Sequence, residues 1–448
     1  MNSQDTTRLP QPLSDDYGNR HFRADEVARG GQGVVFRTRD VDLAIKQPLD
    51  ASGQPDRHAD LRQRFQDIRL LPLPSRIPIS LPLVILRDEP GYVMRLLNDM
   101  KSFSSFDLNG KIRNELKVAQ ATLPHWLAGV PDGEQAWRLF HYALEGSTRR
   151  RLAALAKCAS ILARLHCAGL VYGDISSNNA FVGQAAAPEV WLIDADNLRF
   201  EQAVGGSAVV TPGYGAPEVM QGVDASRPRT DCWSFAVMAF RTLALCHPFI
   251  GRKVTEPDDD ADDWDAEPSD GSAAVDLYAQ AYAGHFPFID DEQDASNASQ
   301  SGLQRSLVAT PAMRLLFQET FGAGRQQPHR RPAMFFWAME LSRAFDRSLV
   351  CRECKMSHFV DSQAQCPYCG ASRPAFVRVR TSRWECVLVD DAKVHALPHR
   401  LFHPFSLEHN ADAAYHAVID FASRTGEPER DTQDFPAGLT FEFVEAGA

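Results

Sequence analysis

The segment at residues 171–196 (VYGDISSNNAFVGQAAAPEVWLIDAD) constrains the fold of this chain more than any other part. It places Asp174 and Asn179 in one short loop, and it places Asp194 directly after an apolar run. One carboxylate base and two metal-binding groups beside a strand are what phosphoryl transfer needs, because that reaction depends on placing Mg²⁺, nucleotide and acceptor. Acidic loops near strands are common, so the other motifs along the chain decide how much weight this one carries.

A glycine-rich segment and a short strand with one lysine precede this loop. Residues 28–36 (ARGGQGVVF) put three glycines before β-branched residues, a composition that lets backbone N–H groups approach a triphosphate. Residues 43–46 (LAIK) predict a strand that ends in a single cation, Lys46.

Three more motifs follow in a fixed order: TPGYGAPE at residues 211–218, DCWSFAV at 231–237 and HRRP at 329–332. Six pieces in this order resemble the eukaryotic-type protein kinase family, over roughly residues 22–345. The resemblance implies an α+β, bilobal protein-kinase-like fold, with a β-rich N-lobe at residues 21–97 and a helical C-lobe at 98–347.

The resemblance also implies ATP and Mg²⁺ (or Mn²⁺) as cofactors and a role for each matching residue. Lys46 would hold the α- and β-phosphates, Asp174 would be the catalytic base, and Asn179 and Asp194 would bind the metal. The nucleotide contacts implied are Gly30, Gly31, Gly33, Val35, Ala44, Lys46, Asp67 and Met94. Residues 211–214 match the acceptor-site pattern of serine/threonine kinases better than that of tyrosine kinases, so a Ser or Thr hydroxyl of a partner protein is the expected acceptor. Small-molecule kinases share the base and the metal residues but generally lack the Ala-Pro-Glu found at 216–218.

Two structural roles come with the same resemblance. Glu218 is expected to pair with Arg331, and Asp231 is expected to hold the backbone of the catalytic loop from a buried helix. His166, just before that loop, is expected to be a packing residue.

The chain departs from the family pattern in several places. Residues 172–174 are Tyr-Gly-Asp where most relatives have His-Arg-Asp, so switching through an activation-loop phosphate is not expected. Ser176 stands where serine/threonine kinases usually carry Lys. Asp-Phe-Gly is replaced by Asp-Ala-Asp at 194–196. Asp196 is either a second carboxylate near the metal or a solvated turn residue. We favour the solvated turn residue.

The carboxylate that pairs with the lysine is also atypical, because no Glu occurs between residues 47 and 88. Residues 60–71 carry apolar side chains at helical spacing. In that register Asp67 is the candidate partner of Lys46, and the alternative is a surface Asp on the helix. Because the base, the lysine and both metal ligands are present, an active enzyme is predicted. The alternative is a catalytically weak, nucleotide-binding pseudokinase scaffold that acts through a zinc ribbon and a C-terminal module.

A four-cysteine pattern predicts that zinc ribbon at residues 350–371. Cys351 and Cys354 form one Cys-x-x-Cys pair, and after eleven residues Cys366 and Cys369 form another, followed by Gly370. Four thiolates at this spacing can converge on Zn²⁺ tetrahedrally, and a site with four protein ligands and no open position is structural. Disulfides are disfavoured by the odd total of nine cysteines and the absence of a secretory pattern. The remaining cysteines are predicted to be buried packing residues: Cys158, Cys167, Cys232, Cys246 and Cys386.

Residues 372–448 predict a small β-rich module. Strands are expected at 375–380, 384–389 and 439–444, with a turn at 390–391. A short helix capped by Asn410 is expected at 411–422.

Charged and apolar segments of the sequence give further expectations. The net charge of −11 comes mostly from residues 256–270, which contain nine acidic residues and no basic one. This acidic insertion, at 255–272, is expected to be a solvated segment, with a docking surface for a basic partner as the alternative. The polar residues 1–20 are expected to form a flexible leader rather than a signal peptide. The apolar stretch 233–250 is interrupted by Arg241, which favours a buried helix over a membrane span, and the arginines at 149–151 are expected to begin a helix and face water.

A kinase followed by a four-cysteine ribbon and a β module is similar to bacterial kinases associated with tellurite-resistance-type stress operons. Those kinases often accompany a metal-dependent phosphatase and a von Willebrand A-type protein. The similarity implies a cytoplasmic regulatory kinase that acts on a partner protein, and neither nucleic acid nor a membrane is expected as a partner.

Overall fold

The computed structural model describes residues 12–30, 33–50, 52–58, 60–119, 121–185, 188–201, 211–256, 276–361, 364–403, 415–429 and 438–447. Gly31, Asn410 and nearly all of the predicted acidic insertion lie outside the described residues. The chain is a mixed α+β protein with several antiparallel sheets. It divides into two compact units: unit 1 comprises residues 1–100 and 191–200, and unit 2 comprises residues 101–190 and 201–448.

The strands are β1 (Leu13–Ser14), β2 (Arg20–His21), β3 (Arg23–Gly30), β4 (Gly33–Thr38), β5 (Leu43–Pro48), β6 (Val84–Ile85), β7 (Tyr92–Arg95), β8 (Met100–Ser102), β9 (Leu170–Val171), β10 (Ala180–Gly183), β11 (Val190–Leu192), β12 (Arg199–Phe200), β13 (Ser348–Val350), β14 (Ser357–Phe359), β15 (Phe376–Arg380), β16 (Glu385–Val389), β17 (Val394–Leu397), β18 (Tyr415–Asp420), β19 (Thr425–Pro428) and β20 (Thr440–Val444). The helices are α1 (Asp60–Leu70), α2 (Gly110–Val118), α3 (Gly133–Leu144), α4 (Ser147–Cys167), α5 (Pro217–Met220), α6 (Pro228–Ala244), α7 (Arg252–Thr255), α8 (Leu277–Tyr282), α9 (Arg305–Val308), α10 (Pro311–Gln318), α11 (Gly324–Gln326) and α12 (Met334–Asp346). Among the residues that the structure describes, no helix combines the length and the apolar character needed to cross a membrane.

Unit 1 is built on a five-stranded antiparallel sheet in the order β3-β4-β5-β7-β6. Lys46 on β5 lies opposite Val35 on β4 and opposite Tyr92 on β7, and Ala44 lies opposite Met94. Side chains of directly opposed residues project from the same face, and residues two apart on one strand share that face. The register therefore places these five side chains on one face of the sheet.

The other face of this sheet carries an apolar core. Ile45 and Val93 pack there with Leu13 and Leu86, and all four are buried. Leu13 belongs to β1, which pairs with β2, so residues 12–20 differ from the flexible leader expected for them. The hairpin is held by Asp15, whose carboxylate accepts hydrogen bonds from the residues that follow it. Burial alone would raise the pKa of Asp15, but those hydrogen bonds lower it to about 2.

Helix α1 and residues 191–200 complete unit 1. Phe65 of α1 is buried and meets the ring of Tyr92 edge-on, with a centroid distance of 4.8 Å. The Leu192 N–H donates to the Pro78 carbonyl at 3.0 Å, and the Ser80 N–H donates to the Leu192 carbonyl at 2.8 Å. These backbone bonds attach a segment from the middle of the chain to residues 78–80, which precede β6.

Unit 2 is mainly helical, and aromatic side chains of α6, α10 and α12 pack together in its core. Trp233 of α6 stacks on Phe249 with a centroid distance of 5.1 Å, and it meets Phe321 edge-on at 5.3 Å. Phe240, two turns further along α6, packs against Phe317 at 5.2 Å. The apolar stretch that begins at Trp233 is thus a buried helix, as its sequence predicts.

The arginines at 149–151 begin helix α4 as expected, but the prediction that they face water is wrong. Arg149 donates to the Ser348 carbonyl at 2.6 Å, and the fully buried Arg151 donates to the Phe106 carbonyl at 2.7 Å. Burial lowers the pKa of Arg151 to about 10. Backbone carbonyls from distant segments accept hydrogen bonds from these arginines, and a local sequence pattern cannot reveal such partners.

The C-terminal residues form two three-stranded antiparallel sheets, β16-β15-β20 and β17-β18-β19. The strands predicted at 375–380, 384–389 and 439–444 are confirmed. The predicted helix at 411–422 is wrong where it is described, because residues 415–420 form β18 and bury Ala417 and Ile419 alternately. The module is joined to the end of α12 by a buried ion pair, in which Arg400 donates to Asp346 at 2.6 Å.

Candidate functional site

In unit 1, the side chain of Lys46 meets two carboxylates from a distant part of the chain. The ammonium group is buried and donates to Asp194 and to Oδ2 of Asp196, the latter at 2.7 Å. Asp194 precedes a 3-10 turn at Ala195–Asn197 and has a φ of 58°, a left-handed conformation that Asp tolerates better than most residues. The sharp turn brings both carboxylates to one ammonium group.

The second carboxylate has a further partner. The hydroxyl of Tyr92, which is fully buried beside Lys46 in the sheet, donates to Oδ1 of Asp196 at 2.7 Å. The interpretation of Asp196 as a solvated turn residue is therefore wrong, since both of its oxygens accept hydrogen bonds from buried side chains. Sequence reasoning missed Tyr92, because only the strand register places it next to the lysine.

The electrostatics of this cluster favour its charged form. Burial acts to lower the pKa of Lys46, but the negative charges of Asp196 and Asp194 outweigh it, so that pKa is raised. Burial acts to raise the pKa of Asp196, and the charge of Lys46 together with hydrogen bonds from Lys46 and Tyr92 reverses this, so that pKa is lowered. The cluster carries one positive and two negative groups, which leaves a net charge of 1 − 2 = −1.

The predicted pair between Lys46 and Asp67 is not formed. Asp67 is exposed and accepts a hydrogen bond from Gln63 at 2.8 Å. Helix α1 turns Phe65 and Ile68 toward the sheet, and Asp67 lies off that buried face. The expectation that a residue of this helix would neutralise the lysine is thus corrected: both carboxylates come from residues 194–196.

A close approach of the backbone favours glycine at position 33. A Cβ there would lie 3.0 Å from the Gln47 carbonyl oxygen and 3.2 Å from Cε of Lys46. A Cβ at Gly30, by contrast, would meet no atom within 4 Å. The predicted contacts Val35, Ala44 and Met94 share the face of Lys46, and Ala44 and Met94 are buried there.

In unit 2, Asp174 is buried and its carboxylate is engaged on both oxygens. The amide of Asn179 donates to Oδ2 at 2.9 Å, and the hydroxyl of Thr211 donates to Oδ1 at 2.8 Å. Two residues predicted from one short loop, Asp174 and Asn179, are thus in contact. Thr211 was recognised from sequence only as part of an acceptor-site pattern, and the structure adds its hydrogen bond to Asp174.

Asp231 on α6 fixes the backbone ahead of Asp174. Its carboxylate accepts hydrogen bonds from the Tyr172 N–H at 2.8 Å and from the Gly173 N–H at 2.9 Å. The predicted role of Asp231 is therefore confirmed. His166 lies 3.0 Å from the same carboxylate, so it is a hydrogen-bonding partner as well as a packing residue. Gly173 has a φ of 84°, a conformation that favours glycine.

The predicted pair of Glu218 and Arg331 is also confirmed. The guanidinium donates to both oxygens of Glu218 at 2.7 Å, and Arg331 is only 1% exposed. A contact that sequence reasoning missed involves His247, whose Nε2 donates to the Gly213 carbonyl at 2.9 Å. The bond anchors the backbone two residues after Thr211.

The four cysteines predicted for zinc converge in unit 2. Their sulfur atoms all lie within 4.8 Å of one another, and the Cys351–Cys369 and Cys354–Cys366 pairs are each 3.6 Å apart. A tetrahedral site with Zn–S bonds of about 2.3 Å requires sulfur–sulfur separations of roughly 3.8 Å. The cluster therefore fits a structural metal such as zinc.

Backbone geometry around these sulfurs supports the same fit. The residues after each Cys-x-x-Cys pair, Lys355 and Gly370, have φ values of 61° and 72° and turn the chain back on itself. The thiol of Cys354 donates a hydrogen bond to Cys366, which lowers the pKa of Cys366 and raises that of Cys354. A thiolate stabilised in this way is the form that binds a metal.

The other cysteines follow the prediction in part. Cys158, Cys232 and Cys386 are buried, and burial raises the pKa of Cys232 to about 12. Cys246 is half-buried, and Cys167 is exposed, so the prediction of a buried packing role is wrong for Cys167.

Comparison with known proteins adds no assignment. The chain matches no protein-family model, and it matches no curated protein. The functional interpretation therefore depends on the residues and contacts described above.

Proposed function

We propose that this chain is a protein kinase that transfers the γ-phosphate of ATP to Ser or Thr hydroxyls of a partner protein, and that its fold is of the protein-kinase kind. Lys46 holds the α- and β-phosphates, and Asn179 and Asp194 hold Mg²⁺. Bound Mg²⁺ would neutralise the phosphate charge that develops during transfer. Asp174 is the base that receives the hydroxyl proton.

The observation that carries the proposal is the ion pair between Lys46 and Asp194, which are 148 positions apart in the chain. The resemblance to protein kinases implies that Lys46 binds phosphates and that Asp194 binds a metal. Burying charged groups is costly, and a buried pair contributes little net stability compared with apolar packing. A perturbed, buried charge cluster of this kind is more often found at functional sites, which supports a catalytic role.

The surroundings of Asp174 support the same proposal. A general base must lie within hydrogen-bond reach of the proton that it removes. Asp174 already accepts a hydrogen bond from a hydroxyl, that of Thr211 at 2.8 Å, so its carboxylate is aimed at a position that a hydroxyl can occupy. The backbone bonds to Asp231 hold the loop that carries this base.

The acceptor hydroxyl oxygen forms a bond to the γ-phosphorus, and the bond from that phosphorus to the bridging oxygen of ADP breaks. The hydroxyl proton moves to Asp174, and Lys46 offsets the negative charge on the phosphates of the departing ADP. The zinc ribbon takes no part in the chemistry, because four cysteine ligands leave no open coordination position.

The proposed protein substrate is one that accompanies kinases of tellurite-resistance-type stress operons, for example a von Willebrand A-type protein. This part of the proposal depends on the resemblance to those kinases. The same resemblance suggests a metal-dependent phosphatase that would reverse the modification.

The test is transfer of label from γ-labelled ATP to protein, followed by mapping of the modified residues. The wild-type chain is expected to label Ser or Thr, and Asp174→Asn is expected to reduce the rate by about 10²- to 10⁴-fold. Asp25→Asn, which changes an exposed carboxylate on β3, is the matched control and should retain the rate. Nucleotide-dependent thermal stabilisation without any transfer would instead support the scaffold alternative and would refute the kinase proposal.

A further inference from the structure

We infer that Asp196, held in place by Tyr92, is the residue that positions Lys46 for the nucleotide while Asp194 serves the metal. The inference rests on the proposed function for its link to ATP, but the contacts that carry it lie within unit 1. It assigns to the turn at residues 194–197 a task that the sequence predicts for a carboxylate on helix α1.

Both carboxylate oxygens of Asp196 are held in place. Oδ2 lies 2.7 Å from the ammonium of Lys46, and Oδ1 accepts the Tyr92 hydroxyl at 2.7 Å. Tyr92 is itself fully buried and packs against Phe65. A carboxylate oriented by a buried neighbour loses little further freedom when it holds a charged partner, and this preorganisation is what a positioning residue needs.

The two carboxylates differ in their exposure to solvent. The side chain of Asp194 is 24% exposed, and that of Asp196 is 15% exposed. Asp194 is thus the more accessible of the two to an incoming cation, and Asp196 is the one secured by the sheet. The two carboxylates carry a charge of −2 against the +1 of the ammonium, and the resulting −1 of the cluster favours binding of a divalent cation.

Helix α1 does not supply the carboxylate that pairs with Lys46. Asp67 is exposed and bonds to Gln63 rather than to the lysine. Helix α1 acts through other residues: Phe65 packs on Tyr92, and Arg64 donates to Asn197 at 2.9 Å. The helix therefore supports the tyrosine and the turn that hold Asp196.

Sharing of one ammonium group between two carboxylates has a functional consequence. When Asp194 turns to a cation, Lys46 would lose one partner and, without Asp196, would be left as a buried charge with no counter-ion. Such a charge is unfavourable by several kcal/mol. With Asp196 in place, the lysine keeps its position and its charge for the phosphates.

The test compares three variants by steady-state kinetics of phosphate transfer. Asp196→Asn is expected to lower kcat/KM for ATP by about 10²-fold, and Tyr92→Phe, which removes one hydroxyl, by about tenfold, with KM for the protein substrate unchanged. Asp67→Asn should stay within about twofold of wild type. A loss with Asp67→Asn as large as that with Asp196→Asn, or wild-type kinetics for Asp196→Asn, would overturn the inference.

A second measurement does not depend on catalysis. The equilibrium constant for unfolding in urea is measured for Lys46→Met, Asp196→Asn and the double variant, and the same cycle is run with Asp67→Asn. The Lys46–Asp196 cycle should show at least about tenfold non-additivity, and the Lys46–Asp67 cycle should be additive. Absence of transfer by the wild-type protein would refute the proposed function alone, whereas an additive Lys46–Asp196 cycle would refute the inference alone.

Discussion

Replacement of Glu218 by Gln tests how much of unit 2 depends on one buried charge pair. Arg331 donates to both oxygens of Glu218, and it also donates to the Gly324 carbonyl at 2.8 Å and to the Arg229 carbonyl at 3.0 Å. In Glu218→Gln the guanidinium keeps its two carbonyl acceptors and one amide oxygen, but it loses its only carboxylate among the described residues.

The expected loss follows from burial. Removing one partner of a buried ion pair costs about 3–5 kcal/mol, because the other charge stays in a medium that solvates it poorly. Gln retains one acceptor, so we expect a value near the lower end, about 3 kcal/mol. The matched control is Glu201→Gln, which breaks a pair with Arg227 at 3.3 Å in which the two side chains are 45% and 32% exposed. Exposed pairs contribute about 0–1 kcal/mol.

The assay is urea unfolding followed by circular dichroism at neutral pH, with the free energy of unfolding taken from the midpoint and slope. Glu218→Gln should lower that free energy by at least about 2 kcal/mol more than Glu201→Gln does. Equal losses for the two variants would refute the reasoning, because burial would then make no difference to the contribution of the pair.

Three further outcomes are expected. Purified protein should contain one zinc per chain by elemental analysis, and Cys366→Ser should lose the metal and lower the melting temperature; metal-free wild type of unchanged stability would contradict this. His247 has a pKa lowered to about 4, chiefly by burial, so the unfolded chain takes up its proton first as pH falls below about 6.5. Stability should therefore decrease from pH 6.5 through pH 4, by about 3 kcal/mol for this group, and His247→Gln should show a shallower pH dependence in urea unfolding at each pH. Gly33→Val should weaken ATP binding in calorimetry and destabilise the chain by about 1–3 kcal/mol, because the valine side chain would press on the backbone and on Lys46. The control is Gly30→Ala, which has open space around it and should leave stability unchanged. Equal effects of the two variants would refute the steric argument.

Much of the candidate site could be predicted from sequence because its parts are short motifs with local geometry. Asp174 and Asn179 lie in one loop, so their contact depends on only a few backbone torsions. The pair of Glu218 with Arg331 was predictable only through family resemblance, since the two residues are 113 positions apart.

The remainder depends on tertiary packing, which no local pattern encodes. Asp67 was the predicted partner of Lys46, and Asp196 was interpreted as a solvated turn residue. The structure reverses both, because Asp67 lies off the face that helix α1 buries and Asp196 bonds to the lysine. Arg149 donates to a carbonyl 199 positions away, and Arg151 donates to one 45 positions away. In the C-terminal module, residues 415–420 pair with β17 and β19, and this pairing gives them an alternating burial pattern. They therefore form a strand instead of the predicted helix.

The central claim is the proposal that Lys46 and Asp174 serve one phosphate-transfer reaction. The most direct test measures the transfer rate for Lys46→Met, Asp174→Asn and the double variant. Residues that act as a unit give non-additive losses, so the double variant should be no slower than the slower single variant. If the loss in the double variant equals the product of the two single losses, or if either single variant transfers phosphate at the wild-type rate, the account is contradicted.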